Sequence, residues 1–389
     1  MGSKRMDSAL RALLATVAAA SVLVACGVGS GGTGASFTSG SITGFGSVIV
    51  GGVRYDDSSA RVEDDEGAER SATDLRLGMV ADIDATGDYG GKAVAQSIRF
   101  RSELIGPVTA INTATPSITV LGQRVAVLAT TVFDSASLPG GLAALAVGDV
   151  VEVYGQLDLA TTRITASRVE RRGSVGAYKL RGPIATLDTK TKTLVVGGQT
   201  IGYAQAPPDA TLLLAVGQFV RVTLRTTPIA GVWTATSLRS GALRLEDLQQ
   251  VTIEGRISAY TSSAHFSVNG VPVDASGVSY GGGSSRVVLG AHVTVKGSSS
   301  GGTLVARSVD VADEESPGSE YFDLSGNITA VDLAAKTFVV RGVTVSYTNT
   351  TRFEGGGPAN LVVGRKVQAK GLLSSDRTRL EAVSIEFDE

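Results

Sequence analysis

Apolar and polar residues alternate along most of the chain after about residue 40, and glycine interrupts the alternation at short intervals. A period of two places successive side chains on opposite faces of an extended strand, whereas an amphipathic helix repeats every three to four residues. The pattern therefore predicts an all-β fold built from half-buried strands. Helix is expected only as single turns, such as the one from Ser71 to Gly78.

The same order of segments occurs five times, at intervals of about 70 residues. Each unit contains two alternating segments joined by a dipeptide such as Gly51-Gly52 or Asn269-Gly270, and a two-residue hairpin turn needs residues that tolerate positive φ. The five paired segments read VIVGGVRY, ITVLGQRVAV, LVVGGQTIGY, FSVNGVPV and FVVRGVTVSY. Three tyrosines at the inward position of the second segment are expected in the core: Tyr55, Tyr203 and Tyr347.

A unit of this length can bury a modest core, and five or six short antiparallel strands could close it. We therefore predict five tandem small OB-like antiparallel β-barrels after a signal peptide and a flexible tether. The alternative is a continuous stacked β-solenoid. The expected repeats are residues 40–104, 105–175, 176–248, 249–318 and 319–389.

Three recurring elements, G-x-I-x, V-x-G-x-x-V and L-x-x-G-x-x-V-x-V, run from Gly40 to Glu389. In this ordered recurrence the chain resembles a family of bacterial exported proteins known as domain of unknown function 5666. The resemblance implies small β-barrel modules in a lipoprotein. It implies no activity, substrate or catalytic residue.

The first 25 residues have the features of an export signal. Basic residues precede the uncharged run from Ala12 to Val24, which is too short to span a bilayer as a helix. The run ends in Leu23-Val24-Ala25-Cys26, which resembles the lipobox of bacterial lipoproteins. The resemblance implies cleavage between Ala25 and Cys26 and lipidation of the Cys26 thiol. The alternative is an ordinary secretory signal with an incidental cysteine.

Residues 26–39 are rich in glycine, serine and threonine, a composition typical of a flexible tether. Gly27 follows the cysteine where an aspartate would favour inner-membrane retention, so the resemblance favours the outer membrane. Anchoring through the lipid would place the chain at a membrane in the cell envelope, with an envelope protein or polymer as a possible partner. The net charge of −2 argues against a nucleic-acid ligand.

Candidate chemistry is sparse. Gly44-Phe45-Gly46 lacks the third glycine and the helix of a dinucleotide loop. Two segments match G-x-S-x-G around Ser279 and Ser299, but neither has a strand-to-helix context. Two histidines cannot supply a zinc cage, so we expect no metal and no cofactor.

Two carboxylate-rich stretches, Val62 to Gly67 and Asp82 to Asp88, could offer oxygen ligands to calcium, but they lack EF-hand spacing. Asp82 is expected to face solvent, because polar residues occupy the same strand position in all units. The residues at this position in the other four units are Glu152, Arg221, Thr294 and Gln368.

These observations favour a non-enzymatic, membrane-anchored binding or structural protein of the cell envelope. The alternative is a hydrolase of envelope glycan or peptide that uses carboxylates in one diverged repeat. The fourth repeat is the candidate for that alternative, because it holds both histidines, His265 and His292. His292 is expected to face away from the core of its own repeat, together with Thr294 and Lys296.

Overall fold

The computed structural model describes residues 34–87, 93–158, 161–208, 212–278, 280, 284–312 and 321–388. These residues form an all-β structure of five tandem repeats, which we call units one to five. Helix is confined to single 3-10 turns at Ala72–Asp74, Gly141–Ala144, Ser284–Arg286 and Pro358–Asn360. In the part of the chain so described, no helix has the length and apolar character to cross a membrane.

Units one and two hold twelve strands. Those of unit one are β1 (Ala35–Phe45), β2 (Val48–Val50), β3 (Val53–Asp56), β4 (Arg61–Asp64), β5 (Glu69–Arg70), β6 (Val80–Thr86) and β7 (Ala93–Arg101). Those of unit two are β8 (Leu104–Asn112), β9 (Ser117–Val120), β10 (Gln123–Phe133), β11 (Val150–Asp158) and β12 (Arg163–Arg172).

Units three to five follow the same plan. Unit three contains β13 (Tyr178–Asp188), β14 (Thr193–Val196), β15 (Gln199–Gly202), β16 (Phe219–Leu224) and β17 (Trp233–Ser240). Unit four contains β18 (Gln250–Ser262), β19 (His265–Val268), β20 (Val271–Asp274), β21 (His292–Ser300) and β22 (Thr303–Val311). Unit five contains β23 (Phe322–Asp332), β24 (Thr337–Val340), β25 (Val343–Ser346), β26 (Arg352–Glu354), β27 (Lys366–Leu373) and β28 (Arg379–Phe387).

Strand pairing follows one order within every unit. In unit two, β8 pairs with β9 and β9 with β10; β10 pairs in parallel with β12, β12 with β11, and β11 with β8. The equivalent pairings occur in the other four units, to which the short strands β4, β5 and β26 are additions. The repeated sequence elements therefore correspond to one repeated strand order.

Strand pairing also continues from unit to unit, and this corrects the prediction of self-contained barrels. β1 pairs in parallel with β18 from Ser36 opposite Gln250 onward, and its end pairs with β23. β8 pairs with β13 of the next unit. Units one, four and five share one sheet of 18 strands, and units two and three share one of 10 strands. The joined ladders are solenoid-like, as in the alternative to separate barrels.

The physical reason lies in the length of the first strands. β1 has 11 residues and β18 has 13. Each strand is therefore longer than the part of it that pairs in the hairpin with the next strand of its own unit. A strand edge left unpaired carries free N–H and C=O groups that need partners. The parallel pairing of β1 with β18 satisfies those groups between units. It also means that the expected tether ends before Ala35, where β1 begins.

The local predictions about turns and core are confirmed. Gly51 and Gly52 have φ of 57° and 74°, and Asn269 and Gly270 also have positive φ. Tyr55 is fully buried, and the equivalent tyrosines of units three and five are 5% and 6% exposed. Three hydrophobic clusters form the interior: one joins units one and five, one joins units two and three, and one lies mainly in unit four.

Candidate functional site: a cavity between units

A cavity of about 790 Å³ lies where units one, two and four meet, next to the first strand of unit five. β1 contributes Ser41 to Thr43, and the interrupted part of β10 contributes Val127 to Thr130. The outer face of β18, β21 and β22 supplies the wall from unit four. No single unit contains this space, so it exists only because the sheets are joined.

The wall from unit four carries charges of both signs. In strand register, Glu254 lies beside Thr294, which lies beside Asp310, and Arg256 lies beside His292. The His292 Nε2 atom is 3.3 Å from a carboxylate oxygen of Glu254. The Arg256 guanidinium donates a hydrogen bond of 2.7 Å to the Gly290 carbonyl. This polar wall can hold a ligand through both hydrogen-bond donors and acceptors.

The opposite walls carry uncharged side chains, both apolar and polar, and exposed backbone. Ile42, Val127 and Phe322 line them. The ladder between β10 and β12 is interrupted between Val127 and Val132. Thr131 spans the interruption: its hydroxyl accepts from the Leu128 N–H at 2.9 Å and donates to the Ala166 carbonyl at 2.6 Å. The cavity is therefore amphipathic, a combination typical of ligand-binding sites.

Units one and two approach closely at the rim of the cavity. A Cβ atom added at Gly78 would lie 2.4 Å from the Ser167 carbonyl oxygen, so the approach requires glycine. The Ser167 hydroxyl donates to the Gly78 carbonyl at 2.5 Å, and the Arg168 guanidinium donates to the Leu77 carbonyl at 3.2 Å. Arg168 is itself held by Asp134 and Glu170. The turn of unit one is thus fixed against unit two.

The two histidines of unit four have different surroundings. His292 faces away from the core of its unit, as the sequence predicts, and lines the cavity. The His265 side chain is 61% exposed, lies 3.8 Å from the Asp274 carboxylate, and does not line the cavity. The structure therefore brings one histidine and the Glu254 carboxylate together.

The serine motifs do not form nucleophiles in the part of the chain that the structure describes. Ser299 lies in β21 and is 5% exposed, with its hydroxyl bonded to the Glu246 carbonyl. Ser279 lies outside the described residues, as do Ala25, Cys26 and the signal peptide. Their predicted roles in cleavage and lipidation stay predictions.

Gly44-Phe45-Gly46 serves strand packing. Phe45 is fully buried, and a Cβ atom at Gly44 would lie 2.4 Å from the Asp323 carbonyl oxygen of unit five. Gly46, with φ of 122°, begins the turn into β2. The glycines therefore allow a close approach of units and a tight turn.

The carboxylate-rich stretches are occupied by hydrogen bonds and ion pairs. Asp64 accepts from the backbone N–H groups of Glu66 and Ala68 and from Arg70. The pKa of Asp64 is lowered: burial raises it, but the Arg70 and backbone hydrogen bonds outweigh that effect. Within the described ranges, no three acidic, histidine or cysteine side chains group as metal ligands.

The expectation that the shared polar strand position faces solvent is wrong. Asp82 and Glu152 are both 8% exposed, and the other three side chains are half-buried. Asp82 pairs with Arg101, while Arg221 of unit three pairs with Asp65 of unit one. The three charged residues at this position are therefore held in ion pairs in place of being fully hydrated.

Burial has electrostatic consequences there. It raises the pKa of Glu152, although Arg172 and a hydrogen bond from Ser102 oppose the change. The nearby Tyr154 hydroxyl, also buried, has its pKa raised well above the usual range. The Asp134 carboxyl shows the opposite result, because Arg168 and Ser137 lower its pKa by more than burial raises it.

Aromatic side chains do not group into a sugar platform among the described residues. Trp233 packs edge-on against Tyr178 at 5.8 Å, and its indole N–H donates to Gln199. Tyr260 and Tyr321 are exposed, and Tyr321 borders the cavity.

Sequence reasoning missed Glu254, Arg256 and Asp310 as cavity residues, because it treated the outward faces of all strands as hydrated. No sequence signal marks these three residues, because acids, arginine and uncharged polar residues are equally typical of a solvated strand face.

These features define an all-β protein of tandem repeats with a cavity formed between repeats. The family model described as Domain of unknown function (DUF5666) matches residues 105–170, 181–239, 254–310 and 325–386. The chain belongs to this family. Unit one lies outside the matched ranges, yet it has the same strand order.

A solved structure titled "drosophila Unr CSD456" is similar at 10% identity, covering 74% of this chain and 97% of that chain, with a TM-score of 0.14. A TM-score this low adds nothing to the description of the fold. No curated protein matches the chain.

Proposed function

We propose that the chain is a lipid-anchored, non-catalytic binding protein of the cell envelope, whose ligand enters the cavity between units one, two and four. The observation that carries the binding role is the amphipathic cavity, with its charged wall on unit four and uncharged walls of mixed polarity on units one and two. The anchor is inferred from Leu23-Val24-Ala25-Cys26 alone, and the outer membrane from Gly27. The expected ligand is an envelope polymer or protein segment, and not nucleic acid.

We further infer that each unit has the strand order of an OB fold. The support is the closed order of pairings, counted without the short additional strands β4, β5 and β26. The first strand pairs with the second, the second with the third, the third with the fifth, the fifth with the fourth, and the fourth with the first. In this inference the units are OB-like in connectivity while sharing ladders with their neighbours.

Retention on insoluble peptidoglycan tests the binding role. The Ala129→Trp variant places a large side chain at the cavity, and Ala334→Trp places the same side chain in an exposed turn of unit five. The mature protein and Ala334→Trp should be retained equally, and Ala129→Trp should be retained several-fold less. Equal behaviour of the two variants, or no retention of the parent protein, would refute a role for the cavity in polymer binding.

Anchoring is tested separately with Cys26→Ala. The parent protein should incorporate an acyl label and partition into the detergent phase, and the variant should do neither. A labelled variant would show that the lipobox interpretation is wrong.

The second candidate function is hydrolysis of an envelope glycan or peptide. It is favoured by one observation, the 3.3 Å contact between His292 Nε2 and Glu254 at the cavity wall, a pair that could exchange protons with a substrate. His292→Gln should then abolish any turnover, whereas His265→Gln should not. Absence of turnover in the parent protein would end this alternative.

A further inference from the structure

A second cavity, of about 490 Å³, lies between units one and three and the segment that connects unit three to unit four. Its walls carry five arginines from three parts of the chain: Arg99, Arg101, Arg181, Arg221 and Arg244. Four acids also line it: Asp65, Asp82, Asp84 and Glu246. Arg99 and Arg181 are also paired with Glu63 and Glu103, which do not line the cavity.

Several of these arginines are removed from solvent. Arg101 is 9% exposed and Arg181 is 8% exposed. Arg101 pairs with Asp82, but its buried Nε atom has no hydrogen-bond partner among the described residues. The Nε atom is closed to solvent, so Arg101 adds positive charge to the lining and offers no exposed N–H group to a ligand.

Arg221 is more accessible, since its side chain is 17% exposed. Its Nη1 atom is 3.0 Å from Asp65 Oδ2, yet that oxygen accepts no aligned hydrogen bond. Lys179 holds the other Asp65 oxygen at 2.6 Å. The Arg221 guanidinium is thus attracted to Asp65 without directing an N–H group at it.

Arg181 is held at the back of the cavity. Its guanidinium is bonded to Glu103 at 2.5 Å and to the Gly241 carbonyl. Burial lowers the pKa of Arg181, and the charge of Arg101 lowers it further.

The remaining wall is apolar. Phe37 packs in one hydrophobic cluster with Leu243, Leu245 and Leu248 of the connecting segment, and all four line the cavity. The volume of about 490 Å³ is many times the volume of about 30 Å³ that one water molecule takes in the liquid, so a bare phosphate ion would leave most of the cavity unfilled. The space suits a phosphate group joined to a small, partly apolar body.

We propose that this arginine-lined cavity binds a phosphate-bearing amphiphile, with the guanidinium groups of Arg221 and Arg244 on the phosphate oxygens and the leucines on the apolar part. Guanidinium forks match phosphate geometry and bind it in a bidentate manner. The shared chemistry is a phosphomonoester or phosphodiester oxyanion, supplied by a lipid headgroup or by a soluble phosphoester.

The lipid source rests on the proposed function. Phe37 lies two residues after Ala35, the first residue of β1, and Cys26 precedes Ala35 by nine residues. Nine extended residues span at most about 30 Å, so an acylated Cys26 would keep this end of β1 near the bilayer surface. An anionic phospholipid headgroup is then the phosphoester within reach.

The first test measures phosphate chemistry alone. Glycerol 3-phosphate and inorganic phosphate are titrated by calorimetry into purified mature protein at constant ionic strength, with chloride as the reference anion. Arg221→Gln and Arg244→Gln each remove one cavity cation, and Arg307→Gln removes an exposed arginine of unit four as the control. Thermal unfolding checks that each variant is folded.

Saturable binding of glycerol 3-phosphate is expected, with a Kd at least about fivefold weaker in each cavity variant and unchanged in the control. Arg244 has an exposed side chain, so its variant tests the site even if Arg221→Gln disturbs the fold. Absence of saturable binding, or equal binding by Arg244→Gln and Arg307→Gln, would overturn the proposal.

The second test separates the two sources. Unlipidated Cys26→Ala protein is mixed with vesicles of phosphatidylglycerol or of phosphatidylcholine. Preference for phosphatidylglycerol that is lost in Arg244→Gln supports the lipid source. Glycerol 3-phosphate binding without that preference supports the phosphate site and overturns the lipid source. Because the vesicle assay uses unlipidated protein, neither outcome depends on whether Cys26 is acylated.

Discussion

The turn before the fourth strand of each unit offers a matched test of how the units are joined. Leu77 in unit one and Val147 in unit two occupy the same repeat position, one residue before glycine. Leu77 is fully buried and belongs to the same hydrophobic cluster as Val132 and Tyr154 of unit two. Val147 is 66% exposed. The same repeat position is therefore core in one unit and surface in the other.

Leu77→Ala should lower the free energy of unfolding by about 2–5 kcal/mol, the usual range for a buried leucine truncated to alanine. The upper part of that range is expected, because units one and two are held against each other here by hydrogen bonds and can relax little. Val147→Ala should change stability by no more than about 0.5 kcal/mol.

Urea unfolding followed by two probes makes the test specific. Trp233 is the only tryptophan and lies in unit three, whereas far-UV circular dichroism reports all units. If the shared ladders and the contact between Lys179 and Asp65 make the units unfold together, Leu77→Ala must shift the Trp233 fluorescence transition as well. A dichroism shift without a fluorescence shift would mean independent modules and would refute the joined arrangement.

Three further predictions concern single contacts. Glu152→Gln should raise the stability of the protein at pH 7. The folded-state pKa of Glu152 is raised, so the parent protein loses stability as the pH rises from about 4.5 through that raised value. Tm measured against pH should show this loss in the parent protein and not in the variant. Tyr55→Phe should cost about 1 kcal/mol in chemical denaturation, because the tyrosine hydroxyl bonds Thr38 at 2.5 Å in the core. Gly255→Ala should destabilise by more than about 1 kcal/mol, since its Cβ would lie 2.2 Å from the Asn269 side chain; a Tm equal to that of the parent would contradict the close packing of this hairpin.

Local structure was predictable because it depends on neighbours in the sequence. Alternation predicted the strands, and Gly51-Gly52 and Asn269-Gly270 predicted the turns, because backbone sterics alone decide which residues tolerate positive φ. The burial of Tyr55 followed from its inward position in the alternation. Each of these inferences needs information from only a few adjacent residues.

The arrangement of the units was not predictable in this way. The parallel pairing of Ser36 with Gln250 joins residues more than 200 positions apart, and no local pattern distinguishes it from an exposed strand edge. The cavity depends on this pairing, since the pairing brings Glu254 of unit four beside β1, which contributes Ser41 and Thr43 to the same lining. A site formed between repeats therefore escapes a method that treats each repeat separately.

The polar faces between units also explain how five similar units can assemble in one arrangement. Apolar faces would pack in several registers, whereas an ion pair such as Arg181 with Glu103 is satisfied in only one. Buried ion pairs contribute little net stability but penalise wrong pairings strongly, because each unpaired buried charge costs several kcal/mol. Units that share a framework of glycine and valine therefore differ at the outward polar positions, such as Asp82 in unit one and Arg221 in unit three. We infer that the pairs formed between units, such as Arg221 with Asp65, select which unit contacts which.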